Sequence, residues 1–288
     1  MKKETISRII TCILHQEIIF DVEYFPFEET KGHYKNIYKI VSHFKTYVLK
    51  KAKEKELDIY QSVNNASVNL PYFYGSYHYY GNDYILMEYV LGTNLLKMEK
   101  ENLIKAINGI IDIQKKYWNS SLIFGQSKDD ALKQRHTRLS YLPSELKETY
   151  ARYIDCFNRV PVTFSHEDLL PFNVILNKDR VCFIDLEVGG ILPYPTMLAR
   201  LIAHSEDSKD ALFYLSRDNY DFAIDYYYEN LIKQQGIKKE EYLRTMNLFI
   251  YNELIEWIYV YKKNNFKTND FYNRYYQKAI VKRNDLSE

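Results

Sequence analysis

Cysteine, glycine and proline are scarce in this chain of 288 residues, at 3, 9 and 7 copies. Cys12, Cys156 and Cys182 are odd in number, far apart and never spaced Cys-x-x-Cys. That spacing excludes a disulfide framework and a structural zinc site and makes a reducing cytoplasm the expected home. No low-complexity linker and no internal repeat interrupts the chain. Neither sign of charge prevails. Lys and Arg number 39, Asp and Glu 38, and the net charge is +1, so neither nucleic acid nor an acidic membrane is expected as a partner. No apolar run reaches transmembrane length. The apolar stretch after Lys2 and Lys3 is broken by Glu4, Arg8, His15 and Gln16, which is not the pattern of a signal peptide.

What remains is an ordinary globular balance, 46% hydrophobic and 27% charged, in a chain long enough for two lobes with their own cores. The 29 tyrosines fit helix packing, with a ligand-stacking surface as the sharper alternative. The first ninety residues read as short strands around one helix. Asn36 to Val41 and Lys45 to Lys50 form a β-rich hairpin, Lys51 to Val63 a helix, and Pro71 to Tyr80 with Tyr84 to Val90 a second hairpin turning at Gly81-Asn82-Asp83. Beyond Gly92 the pattern becomes helical. Glu101 to Tyr117, Leu146 to Phe157, Asp218 to Gln234, Lys239 to Tyr261 and Phe271 to Val281 are the clearest helices. One small hairpin interrupts them, Asn173 to Leu176 and Val181 to Ile184 around Asn177-Lys178-Asp179. The expected fold is α+β in two lobes: residues 1–91 form a small antiparallel-sheet lobe with one helix, residues 92–288 a larger, mainly helical one.

The decisive stretch is Ser165-His166-Glu167-Asp168-Leu169-Leu170-Pro171-Phe172-Asn173, of the form His-x-Asp-x-x-x-x-Asn. Asp185 follows within Cys182-Phe183-Ile184-Asp185-Leu186-Glu187. Phosphoryl transfer uses one carboxylate to orient and deprotonate an attacking hydroxyl. It uses an amide oxygen and a second carboxylate to hold magnesium against a triphosphate. Helix caps and turn residues are the bland alternative for either half alone. Both halves in order, each beside strand-like residues with a hairpin between them, favour the chemical reading.

On these residues the chain resembles the aminoglycoside-phosphotransferase and choline-kinase superfamily, which has a protein-kinase-like fold. The resemblance implies a small-molecule kinase that uses ATP and Mg²⁺ and phosphorylates an alcohol group. It makes Asp168 the catalytic base, Asn173 and Asp185 the magnesium ligands, and His166 a brace for the loop. Glu187 matches the second acid of Ile-Asp-x-Glu, near metal or substrate. Tyr84 to Gly92 looks like the segment joining the lobes, where the Glu88 carbonyl and the Val90 N–H read the adenine edge with Met87 behind the base. In Tyr47-Val48-Leu49-Lys50, Lys50 matches the phosphate-gripping lysine, with Lys51 as its rival. Glu56 is expected to orient Lys50, with Glu54 the second choice. Gly32, in Thr30 to Asn36, sits where a loop would cover the phosphates. The motifs do not choose between ATP and GTP.

Departures from the family pattern sharpen the reading. Met197, in Met197-Leu198-Ala199-Arg200, stands where the family carries an aspartate that ties down the catalytic loop, so something else must brace it. Leu170 replaces the lysine of protein-kinase loops, and Asp-Phe-Gly and Ala-Pro-Glu segments are missing. A small-molecule acceptor is therefore favoured over a protein. A nucleotide-binding pseudokinase scaffold is the alternative from another class, resting on Met197. On the later helices, Glu253, Glu256 and Trp257 share one face. Carboxylates and an aromatic ring would suit a cationic acceptor. Core packing is the competing reading.

Overall fold

The computed structural model describes residues 1–26, 33–53, 55–63 and 67–286. Gly32 and Glu54, both named above, lie outside the described residues. The N-terminal part is a five-stranded antiparallel sheet of β1 (Phe20–Pro26), β2 (His33–Ser42), β3 (Thr46–Lys51), β4 (Phe73–Tyr79) and β5 (Asn82–Glu88), in the order β1-β2-β3-β5-β4. Strand alternation divides its faces. Tyr38, Ile40, Tyr47, Leu49, Tyr84 and Leu86 form one small core, joined by Ile6, Ile9, Ile10 and Ile13 of helix α1 (Lys3–Leu14). From the other face, Ile85 and Met87 join the main core together with Ile59, Tyr60 and Val63 of helix α2 (Glu56–Val63).

Helix α1 adds to the single helix expected in this part, and its isoleucines keep the i, i+3, i+4, i+7 spacing of a buried stripe. Two local readings are corrected. Lys51 still pairs with Tyr84 in the β-ladder, so the helix expected from Lys51 begins at Glu56. The second hairpin turns at Tyr80-Gly81, because Tyr79 already pairs with Asn82. Both turn residues have positive φ, 46° and 72°, as a two-residue hairpin loop that follows the sheet twist requires.

After Gly92 come β6 (Thr93–Asn94), α3 (Lys100–Lys116), α4 (Lys128–Arg138), α5 (Ser144–Arg159), β7 (Val162–His166), β8 (Val174–Leu176), β9 (Val181–Phe183), β10 (Gly189–Pro193), α6 (Thr196–Ile202), α7 (Arg217–Tyr227), α8 (Lys239–Lys263) and α9 (Asp270–Asp285). A π-helical turn over Tyr228–Ile232 and a 3₁₀ turn over Lys233–Gln235 prolong α7, so the expected helix of residues 218–234 is continuous with an irregular end. The strands form two small ribbons, β6-β8-β9 and β10-β7. The β8–β9 turn is an Asx turn, with the Asn177 side-chain oxygen accepting from the Asp179 and Arg180 amides. Gly92 fits because it has no side chain. A Cβ there would lie 2.2 Å from the Leu176 carbonyl oxygen, so only glycine lets the chain leaving β5 close on β8. A small antiparallel-sheet part followed by a mostly helical one is the fold class expected. No helix among the described residues is long and apolar enough to cross a membrane.

Candidate active site

The loop between β7 and β8 carries the first motif, and its main chain is fixed by its own side chains. The Asp168 amide donates to His166 Nδ1 at 3.2 Å, and His166 Nε2 lies 2.9 Å from the Ile184 carbonyl oxygen. Nδ1 therefore accepts, Nε2 carries the proton, and both ring nitrogens are spent on backbone. Burial lowers the His166 pKa, and the Ile184 carbonyl opposes this only in part, so the ring stays neutral. Asn173 Nδ2 donates to the Asp168 carbonyl at 2.7 Å, and the Ile184 amide donates to the Asn173 carbonyl at 2.9 Å. These bonds tie the loop to the strand end that carries Asp185. Asp185 has φ 65°, a left-handed conformation that turns the chain after β9.

Lys50 meets the second motif from the sheet. Its Nζ donates to Glu56 Oε1 at 2.9 Å, Asp185 Oδ1 at 2.5 Å and Glu187 Oε1 at 2.9 Å. Glu56 is fully buried. Burial works against charge on Lys50, but Glu56 and Asp185 outweigh it and raise its pKa. Lys53 shares Glu187. Of the two rival lysines, Lys50 is the one that joins the acids. Lys51 lines a separate cavity beside Asp168.

A divalent cation fits this donor set. With its Nδ2 spent on Asp168, Asn173 keeps Oδ1 free of hydrogen bonds among the described residues. The Asp185 side chain is 41% exposed. An amide oxygen and a carboxylate suit Mg²⁺, which takes few protein ligands and completes its shell with phosphates and water. Consistently, no cluster of three or more His, Cys, Asp or Glu forms a metal cage among the described residues.

Around the end of β5, Val90 and Met87 are buried. The Glu88 side chain accepts from Arg180 Nη2 at 2.6 Å and from the Tyr72 amide at 3.1 Å, tying β5 to the β9 hairpin.

The brace missing at Met197 is supplied one helical turn later. Met197 is fully buried, whereas Arg200 Nη2 donates to Asp168 Oδ1 at 2.6 Å. Arg200 Nη1 also reaches Glu253 Oε2 at 2.8 Å and Glu256 Oε2 at 2.7 Å. Arg138 adds a bond to Glu256 at 3.1 Å and one to Asn252 at 3.1 Å. Burial opposes ionisation of Glu253, but Arg200 and His204 prevail and pull its pKa down to about 2. Glu253 and Glu256 are therefore corrected from free cation-binding acids to members of an ion network in which Glu253 is buried and Glu256 partly exposed. Trp257 is corrected as well. It packs on Phe271 and Tyr275 at 5.3 and 6.1 Å between α8 and α9, and it does not line the cavity. Sequence reasoning missed Arg135 and Arg138, because it missed α4. The signals were present: Ser127 caps the helix by accepting from the Asp130 amide, acids open it and bases close it.

Solved structures share this fold. Choline kinase from Cryptosporidium parvum Iowa II superposes with a TM-score of 0.61 at 13% identity, covering 93% of this chain and 90% of its own. The amicoumacin kinase hAmiN, solved with AMP-PNP, Ca²⁺ and Ami, gives 0.58 at 12% identity over 99% and 93% of the two chains. An aminoglycoside-3'-phosphotransferase of type VIII gives 0.54 at 16%, over 79% and 92%. The fold is thus the kinase-like fold of aminoglycoside phosphotransferases and choline kinases. No protein-family model and no curated protein matches the sequence.

Proposed function

We propose that this protein is a small-molecule kinase that transfers the γ-phosphate of ATP to an acceptor hydroxyl. One observation carries the reading. Asp168, Asn173 and Asp185, on two separate motifs, meet through the Asn173–Asp168 and Ile184–Asn173 bonds, and Lys50 joins them from the sheet. Residues 1–91 act as the nucleotide lobe and residues 92–288 as the catalytic and acceptor lobe. The Glu88 carbonyl and Val90 N–H bind the base edge. The Glu88 side chain is held by Arg180 and Tyr72, which leaves the main chain to meet the base. Lys50 neutralises the α- and β-phosphates, and Glu56 holds it in place.

Asp168 orients the acceptor hydroxyl and takes its proton. Arg200 occupies Oδ1, while Oδ2 accepts no hydrogen bond among the described residues and the side chain is 35% exposed. Asn173 and Asp185 would hold Mg²⁺, which when bound offsets charge on the phosphates. Most of the rate gain comes from positioning.

The test is ADP release with ATP and Mg²⁺ across aminoglycosides, choline, hydroxy acids, sugar phosphates and nucleosides. Asp168→Asn lowers kcat by on the order of 10²- to 10⁴-fold while AMP-PNP still binds. Undiminished turnover in that variant sinks the assignment.

A further inference from the structure

The cavity beside Asp168 has a volume of about 780 Å³, and Lys51, Lys53, Arg135, Arg138, Arg200 and Glu256 are among its lining residues. Its charges can be accounted for completely. Five carboxylates face it, Glu167, Asp168, Glu187, Glu253 and Glu256. Each already has a cation. Glu167 is held by Arg135, and Asp168 by Arg200. Glu187 is shared by Lys50 and Lys53, Glu253 is held by Arg200, and Glu256 by Arg138 and Arg200. A cationic acceptor would therefore meet only carboxylates already neutralised by a cation, and displacing the buried Arg200 from Glu253 would leave an uncompensated charge.

The cations are not all matched in this way. Among the described residues no carboxylate pairs with Lys51. Among the described residues Lys55 reaches only Asp130, at 3.3 Å outside the cavity lining, and Lys53 is 68% exposed. Two polar atoms of lining residues are buried without a partner, the donor Arg200 Nε and the acceptor Gln126 Oε1.

We infer that the acceptor is a hydroxyl compound bearing an anionic group, a carboxylate or a phosphate monoester, and that Lys51 receives that group. The inference names the acceptor class and so rests on the kinase reading above. It reverses the expectation of a cationic acceptor. The acids that would have held an ammonium are consumed in bracing Asp168, and the cavity's open electrostatic capacity is positive.

Melting shifts of the full chain without nucleotide test this directly. The probes are gluconate, glycerol 3-phosphate, kanamycin and choline at matched ionic strength. Gluconate or glycerol 3-phosphate raises Tm in the wild type and in Lys50→Ala, and which of the two acts identifies the anionic group. Lys51→Glu weakens that binding by at least about tenfold, and Lys51→Gln by less, as for loss of a charge-assisted contact. AMP-PNP with Mg²⁺ gives the opposite pattern, stabilising Lys51→Glu but not Lys50→Ala. Failure of the nucleotide site is thereby read separately. Stabilisation by kanamycin or choline overturns the inference. So does an anion effect that survives in Lys51→Glu, or no shift with either anion.

Discussion

Arg200 and Asp168 are joined by a 2.6 Å bond from Nη2 to Oδ1, and the same guanidinium reaches two glutamates of α8 through Nη1. The loop that carries the candidate base is therefore anchored to a helix far along the chain. Where the family pattern would place a short acidic tether at position 197, this protein has a buried methionine and moves the anchor one turn along α6.

Removing that anchor affects both stability and rate. Arg200→Met leaves the buried Glu253 without its arginine, while Glu256 keeps Arg138, and stranding that one charge costs roughly 3–5 kcal/mol. Arg200→Lys restores the charge but not the planar fork, so it recovers only part of the loss. Adding Glu253→Gln to Arg200→Met recovers stability, because the stranded charge is gone, but it leaves kcat low since Asp168 stays unanchored. Urea unfolding and steady-state kinetics on the three variants separate the two effects. Equal recovery of both would show that Arg200 is only structural.

Acid should weaken the fold in two stages. The pKa of buried His166 lies below its ordinary 6.5. That of Glu253 is pulled from 4.5 to about 2. Both are depressed in the folded state, so the stability each contributes is fully present above its unfolded value and is lost as pH falls. His166 begins to cost stability below about pH 6.5, and Glu253 adds its loss from about pH 4.5 downward through pH 2. Melting temperature measured against pH checks this. In His166→Gln the first stage disappears. A profile flat from pH 7 to pH 5 in the wild type would sink the argument.

Four strands of the five-stranded sheet, the β8–β9 hairpin and the two motifs were legible because they depend on local signals: strand alternation, an Asx turn and fixed spacings; the edge strand β1 (Phe20–Pro26) was not read. The Lys50–Glu56 pair was legible only through resemblance, since Lys51 was an equal rival on composition. The stripe of Ile6, Ile9, Ile10 and Ile13 was equally local, but it was read only for targeting, and α1 was lost. The ion network was not legible. Arg138 and Glu256 are 118 residues apart, Arg200 and Glu253 are 53 apart, and nothing in the spacing of an arginine says which distant acid it meets. Glu253 and Trp257 were correctly placed on one helix, but helical spacing does not tell whether a neighbour is a ligand, an arginine or another ring.

Gly92→Ala should destabilise without touching chemistry. The new Cβ would fall 2.2 Å from the Leu176 carbonyl oxygen and 2.6 Å from Ile175 Cγ2, and the backbone oxygen cannot swing away as a flexible side chain would. Overpacking of this kind costs roughly 1–3 kcal/mol. Because the contact joins the end of β5 to β8, nucleotide affinity should fall along with Tm. A variant with unchanged Tm and unchanged AMP-PNP affinity would contradict this.

Metal and nucleotide should bind together or hardly at all. Asp185 Oδ1 is already held by Lys50 at 2.5 Å, and Glu187 is divided between Lys50 and Lys53. The third acid at Lys50, Glu56, is fully buried and bound to that lysine, and among the described residues no three acids converge to hold a metal, so the protein alone cannot replace enough of the water around Mg²⁺. A triphosphate changes both terms. It offers Lys50 a different anion, which releases Asp185, and it brings oxygens that complete the shell. Linkage then requires each to raise the affinity of the other by the same factor. Calorimetry should find no Mg²⁺ binding tighter than millimolar to the free protein, weak AMP-PNP binding in EDTA, and at least about tenfold tighter binding when both are present. In Lys50→Met the competing ammonium is gone, so Mg²⁺ alone should bind more tightly than to the wild type while the coupling shrinks. Micromolar Mg²⁺ binding to the nucleotide-free wild type would mean that the acids are not committed to Lys50, and the geometry proposed for the phosphate site would fall with it.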